Sequence, residues 1–168
     1  MYFSDPSVKD YIHPQALIGH DPTEAEIERT KALYFGYVTF VDRWIGHLLE
    51  SIERLGLDDD TVVMFISDHG TQLMDRTRFG KGGDELHPFN TQINWMIRHP
   101  NGPRGEHSDL WVQNQDMTPT ILNLLGVAHA EVAGADVWAS ATGSAEPVRD
   151  HITTGWAKKF NVRDAEYS

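Results

Sequence analysis

Tyr34, Val38, Val41, Ile45, Leu48, Ile52 and Leu55 recur at intervals of three or four residues. That spacing lays one apolar stripe along a helix and predicts that the stripe is buried. The start signals precede it. Asp21 reads as the N-cap, Pro22 suits the first helical position, and Glu24 stands where a capping box puts its acid. Gly56 supplies the stop. Gly36 and Gly46 lower helix propensity within the run and point to close packing there.

The period then changes. Residues 61–67, TVVMFIS, form a β-branched apolar run too short for a helix, which predicts a buried strand of parallel type. Residues 70–90 are glycine-rich and charged and read as a long loop, a length that in compact domains marks functional or unstructured segments. A second buried strand is expected within residues 91–100, stopped by Pro100, followed by the turn-rich NGPRGEHSD. A short helix follows, capped by Asp116, with Pro119 in its first turn and Gly126 at its end. Residues 130–150 read as loop, and residues 151–155 as a final strand. Residues 1–20, with Pro6 and Pro14, form an irregular lead-in. Helix, strand, loop, strand, helix is the grammar of an α/β domain.

A length of 168 residues fits one domain, and no apolar run approaches the roughly 20 residues needed to cross a bilayer. The opening MYFSDPSVKD lacks the basic and apolar regions of a signal peptide, which leaves the compartment open. The chain has no cysteine, so disulfides, thiolate metal sites and a cysteine nucleophile are excluded within it. Its net charge of −11, from 14 basic and 25 acidic residues, argues against a basic stripe for nucleic acid. Any anion bound must be held by local positive charge, such as a metal ion or a lysine.

The carboxyl ends of strands in open α/β sheets are where ligands gather. Asp68 and His69 stand at that end of the first strand, and carboxylate oxygen and imidazole nitrogen both ligate divalent ions. Asp68 as a turn cap and His69 as an ordinary loop histidine remain the alternative. Two side chains do not fill a metal shell, so His87, His99, His107, Asp109, Asp116 or groups outside the chain must complete it. Lys81 sits among Gly80, Gly82 and Gly83, where backbone and ligand approach closely. Its ammonium suits a phosphoryl or sulfuryl oxygen, with a solvated loop lysine as the alternative. His87, six residues on, is a candidate general acid or second anion contact, or a plain loop histidine. Ser67 and Thr71 flank the triplet without an activating partner in the sequence.

Several segments together resemble the sulfatase family of the alkaline-phosphatase superfamily. YFGYVTFVDRWIGHLLE is similar to its Tyr-Val-Asp-Ile-Gly helix, VVMFISDHG to its strand ending in Ser-Asp-His-Gly, and QDMTPTILNLLGV to its Asp-x-x-Pro-Thr helix. GADVWASATG resembles its Gly-x-x-Leu-Trp segment, and VRDAEYS the start of its C-terminal subdomain. The resemblance runs from about residue 25 to the end. It implies an alkaline-phosphatase-like mixed, largely parallel sheet flanked by helices, present as a partial domain. It makes Asp68 and His69 metal ligands, with His69 otherwise a metal-proximal contact, and makes Lys81 the grip on the ester's anionic oxygens. The spacing from Asp68 to Lys81 looks most like the phosphonate monoester hydrolase and bacterial arylsulfatase branch; His87 has no secure counterpart.

The resemblance also implies a divalent ion (Ca, Mn, Mg or Zn), a small anionic ester as substrate, and formylglycine as nucleophile in the parent protein. The family's Cys/Ser-x-Pro/Ala-x-Arg motif is absent from these residues, as is the strand with paired aspartate ligands. Residues 1–168 are therefore expected to be the later portion of a sulfatase-like catalytic domain, a metal-dependent sulfuric ester hydrolase, with the nucleophile half and the C-terminal subdomain missing. A phosphodiesterase or phosphonate hydrolase of the same superfamily, or an inactive remnant, are the alternatives.

Overall fold

The computed structural model describes residues 22–81 and 86–167. The lead-in, the expected cap Asp21, and Gly82 and Gly83 beside Lys81 lie outside the described residues. Two compact units divide the chain, Met1–Pro100 and Asn101–Ser168.

In the first unit, α1 runs over Glu24–Arg54. Its N-cap is Thr23, two residues beyond the expected position, and Pro22 precedes the cap. The reason is a reciprocal pair: Glu26 N–H donates to Thr23 Oγ1 at 3.3 Å, and Thr23 N–H donates to Glu26 Oε2 at 2.7 Å. Such a box satisfies two otherwise orphaned donors, an effect of about 1 kcal/mol. Gly56 ends the helix as expected. Its φ of +66° lets Gly56 N–H reach Glu53 O and Leu57 N–H reach Ile52 O, closing a Schellman motif.

The expected burial of the stripe does not hold along its length. Tyr34, Ile45 and Ile52 are half-buried, whereas Val38, Val41, Leu48 and Leu55 are exposed, Leu48 at 55%. A stripe is buried only where a second layer lies upon it, and the described residues do not cover this part.

Strand β1, Val63–Ile66, pairs with β4, Trp95–Arg98, in antiparallel register from Val63 opposite Arg98 to Ile66 opposite Trp95. This corrects the parallel expectation for residues 61–67. A parallel partner needs a crossover that returns the chain to the strand's starting end. Here Ser67 N–H bonds Asn94 O, so the chain re-enters the sheet at the end where it left β1. Nor are residues 70–90 structureless: β2, Gln72–Leu73, pairs antiparallel with β3, Phe79–Gly80, and α2 occupies Pro88–Thr91. Phe79 is the buried apolar anchor of this ribbon.

In the second unit, a 3₁₀ turn at Asn114–Asp116 leads into α3, Met117–Leu124, which Gly126 terminates at φ +65°. Asp116 holds the N-cap position, but its side chain does not cap α3. Its carboxylate accepts from Gln113 N–H at 2.7 Å, from Ala135 N–H at 2.9 Å, and from both ends of the Arg149 guanidinium, Nη2 at 2.6 Å. Burial pushes the Asp116 carboxyl up, but the Arg149 bonds and the two backbone donors outweigh it and hold it below its ordinary value. Arg149 is raised in turn, chiefly by its bond to Asp116.

Part of the stretch expected as loop is α4, Trp138–Ala141, anchored where Val137 N–H donates to the buried Thr120 Oγ1. The expected final strand is β5, His151–Trp156, and a further strand, β6 at Lys159–Asp164, pairs with it antiparallel.

Candidate active site

Beyond Ile66 the chain makes one more ladder bond, Ser67 N–H to Asn94 O at 3.1 Å, and then turns. Asp68 and His69 therefore leave the sheet from a fixed strand end. The turn is closed locally: His69 N–H donates to Asp68 Oδ1 at 2.9 Å, and Ser67 Oγ donates to His69 O at 3.2 Å. Ser67 is thus spent on the turn and carries no base.

Gly70 fixes what lies behind. Its N–H donates to Asn90 O at 2.9 Å, and a Cβ placed on it would stand 1.9 Å from Phe89 O. Only glycine lets the strand end meet α2 so closely. His87 caps that helix from its backbone, its carbonyl accepting from Asn90 and Thr91 N–H. Its ring stacks on Phe89 at 4.5 Å between centroids, and its buried Nδ1 has no hydrogen-bond partner among the described residues. His87 makes no hydrogen bond to Asp68, His69 or Lys81.

Those three do converge. His69 Nδ1 lies 2.7 Å from Gly70 O, a carbonyl that only accepts, so Nδ1 carries the proton. In a neutral ring Nε2 then presents a lone pair. Lys81 Nζ donates to it at 3.1 Å, and Asp68 Oδ2 lies 3.5 Å from the same nitrogen. Lys81 reaches this point because it directly follows β3, which β2 pins to the strand-end turn. Two positive φ values make the short ribbon possible, Met74 at 70° and Thr77 at 72°.

The Asp68 Oδ2 to His69 Nε2 separation matches the edge spanned by two ligands on one divalent ion with bonds of about 2.0–2.4 Å. The pair therefore fits part of a metal shell. Among the described residues no third histidine, aspartate or glutamate joins it. Asp116 is corrected as a further ligand candidate, because both its oxygens are taken by donors of its own unit. His107 and Asp109 pair with each other at 3.2 Å on an exposed loop of that unit. What the sequence reading missed is that Gly70 is required by the backbone of α2 and that Lys81 bonds to His69. The glycine was visible in the triplet; the bond spans 12 positions and depends on the β2–β3 turn.

Among the described residues no helix is long and apolar enough to cross a membrane. The family model described as Sulfatase matches residues 5–127. An endo-4-O-sulfatase of Bacteroides thetaiotaomicron is 39% identical over 97 residues, which is 56% of this chain and 18% of that protein. A choline-sulfatase of Rhizobium meliloti is 31% identical over 112 residues, 67% of this chain and 21% of that protein. The chain thus spans about a fifth of the length of these relatives. Among solved structures, the phosphonate monoester hydrolase of Silicibacter pomeroyi superposes with a TM-score of 0.76 at 27% identity, covering 84% of this chain and 29% of that one. The fold is alkaline-phosphatase-like α/β, seen here in part. The chain belongs to the sulfatase family.

Proposed function

We propose that residues 68–81 form one side of the active site of a metal-dependent sulfuric ester hydrolase. The observation that carries this reading is the convergence of Asp68 Oδ2, His69 Nε2 and Lys81 Nζ at one strand end. Asp68 and His69 would hold a divalent ion (Ca, Mn, Mg or Zn), which when bound supplies Lewis-acid stabilisation of charge on the ester oxygens. Lys81 neutralises the anionic oxygens of a small ester substrate, an interaction that strengthens as charge develops on them. His87 stands behind the turn as a candidate proton donor or second anion contact. The Gly70 contact with α2 keeps the strand end rigid. The chain has no cysteine, so a formylglycine formed from cysteine would come from outside these residues.

In an active enzyme that carries this chain, Lys81→Ala is expected to lower kcat/KM for an aryl sulfate by about 100-fold or more while the fold is retained. Wild-type kinetics in that variant would remove Lys81 from the site. Asp68→Asn is expected to lower bound metal by elemental analysis, and unchanged stoichiometry would refute the ligand role. The likeness to a phosphonate monoester hydrolase favours one second reading, hydrolysis of phosphate or phosphonate esters at the same site. Rates on paired aryl sulfate and aryl phosphate or phosphonate esters separate the two.

A further inference from the structure

Lys81 and the divalent ion have use for the same atom. His69 commits its Nδ1 proton to Gly70 O at 2.7 Å, which leaves Nε2 as the only nitrogen able to ligate a metal, and Lys81 Nζ donates to that nitrogen at 3.1 Å. A lone pair accepts a hydrogen bond or binds a metal, not both. We propose that Lys81 is a placeholder cation, which holds the His69 Nε2 lone pair until a divalent ion displaces it. The proposal rests on the reading of Asp68 and His69 as metal ligands.

Displacement moves no proton. The Lys81 ammonium keeps its three hydrogens, the proton stays on His69 Nδ1 in its bond to Gly70 O, and a His69–metal bond replaces the N–H···N bond. Two consequences follow from the geometry. Before the ion enters, the bond fixes the His69 ring in the tautomer and orientation that ligation needs, with Asp68 Oδ2 already 3.5 Å away. After it enters, the exposed Lys81 ammonium is released toward solvent, available to the anionic ester. With the ion seated, all three Lys81 N–H donors face the anionic ester, one more than before it enters. Lys81 acts here as a positioning residue for the metal site as well as the grip on the ester.

The test uses the full chain and Zn²⁺ alone. Isothermal titration compares wild type, Lys81→Met and Asp68→Asn, with folding checked by circular dichroism. A parallel measurement follows the ¹⁵N–¹H signal of the Lys81 ammonium. Lys81→Met is expected to bind Zn²⁺ roughly 3- to 10-fold tighter, the worth of one hydrogen bond removed from competition. The gain should persist in high salt, which screens a charge acting through solvent. The Lys81 signal is expected to be present before Zn²⁺ is added and to broaden into solvent exchange at saturation. Equal or weaker binding by Lys81→Met, or a Lys81 signal unchanged at saturation, overturns the placeholder role. If Asp68→Asn weakens Zn²⁺ binding while Lys81→Met does not tighten it, the metal reading stands and this inference alone falls. If Asp68→Asn binds as wild type does, both fall.

Discussion

Asp116→Asn probes the densest polar knot in the second unit. Asp116 is fully buried, and its two oxygens join residues 113, 135 and 149. The substitution keeps the volume, removes the charge and exchanges one acceptor oxygen for an NH₂ group. One of the backbone donors, Gln113 N–H or Ala135 N–H, then faces another donor, which costs about 1–3 kcal/mol. The Arg149 guanidinium also loses its counterion. Breaking a buried pair in this way costs about 3–5 kcal/mol. Arg149 retains a bond to Trp111 O at 3.0 Å, and 17% of its side chain is exposed, so the lower end applies. These losses overlap, and the expected destabilisation is about 3 kcal/mol. Urea unfolding followed by tryptophan fluorescence measures it, with Trp111 and Trp138 as reporters in the same unit. A double-mutant cycle with Arg149→Met isolates the ion-pair term. The double variant should recover part of the loss, because no charge is then stranded. A loss below about 1 kcal/mol, or strictly additive effects, would refute the assignment of Asp116 as the organising residue.

Acid should act through the same carboxylate. Because Asp116 titrates below its ordinary value of 3.8 when folded, its contribution is complete above that value and is lost as pH falls through the folded one. Unfolding midpoints of wild type should therefore drop more steeply below about pH 4 than those of Asp116→Asn; parallel pH profiles would exclude this origin. Gly70→Ala puts a Cβ 1.9 Å from Phe89 O, an atom of the backbone that cannot rotate away. A cost of about 2 kcal/mol or more is expected, with loss of the Lys81 ammonium signal as the strand end shifts. Wild-type stability and an intact signal would show that the approach of α2 is not fixed by this glycine.

Much of the candidate site was legible because its signals are local. A β-branched run emptying into Asp68, His69 and Gly70 marks a strand end, and a lysine among glycines is the sequence signal on which the proposed anion contact rests. Gly56 and Gly126 were legible as stops because the left-handed conformation at a helix C′ position selects glycine. The helix start was misplaced by two residues, since Asp21 and Thr23 both present an oxygen and only the return bond from Glu26 decides between them. Strand β6 escaped because Ala157 and Lys158 form a two-residue turn without an Asn-Gly or Asp-Gly signal, Ala157 adopting a φ of 52°.

The sequence by itself determined the α/β grammar, the strand-end carboxylate and imidazole, and the resemblance to sulfatases, all carried by residue type and spacing along a few turns of chain. Tertiary structure alone decided that β1 and β4 run antiparallel. It also decided that Asp116 answers Arg149 across 33 positions rather than capping its own helix, and that Lys81 rests on the nitrogen a metal would take. The physical reason is common to all three. Strand direction, ion pairing and a shared lone pair depend on where distant segments meet in space, and residue spacing along the chain does not encode that meeting.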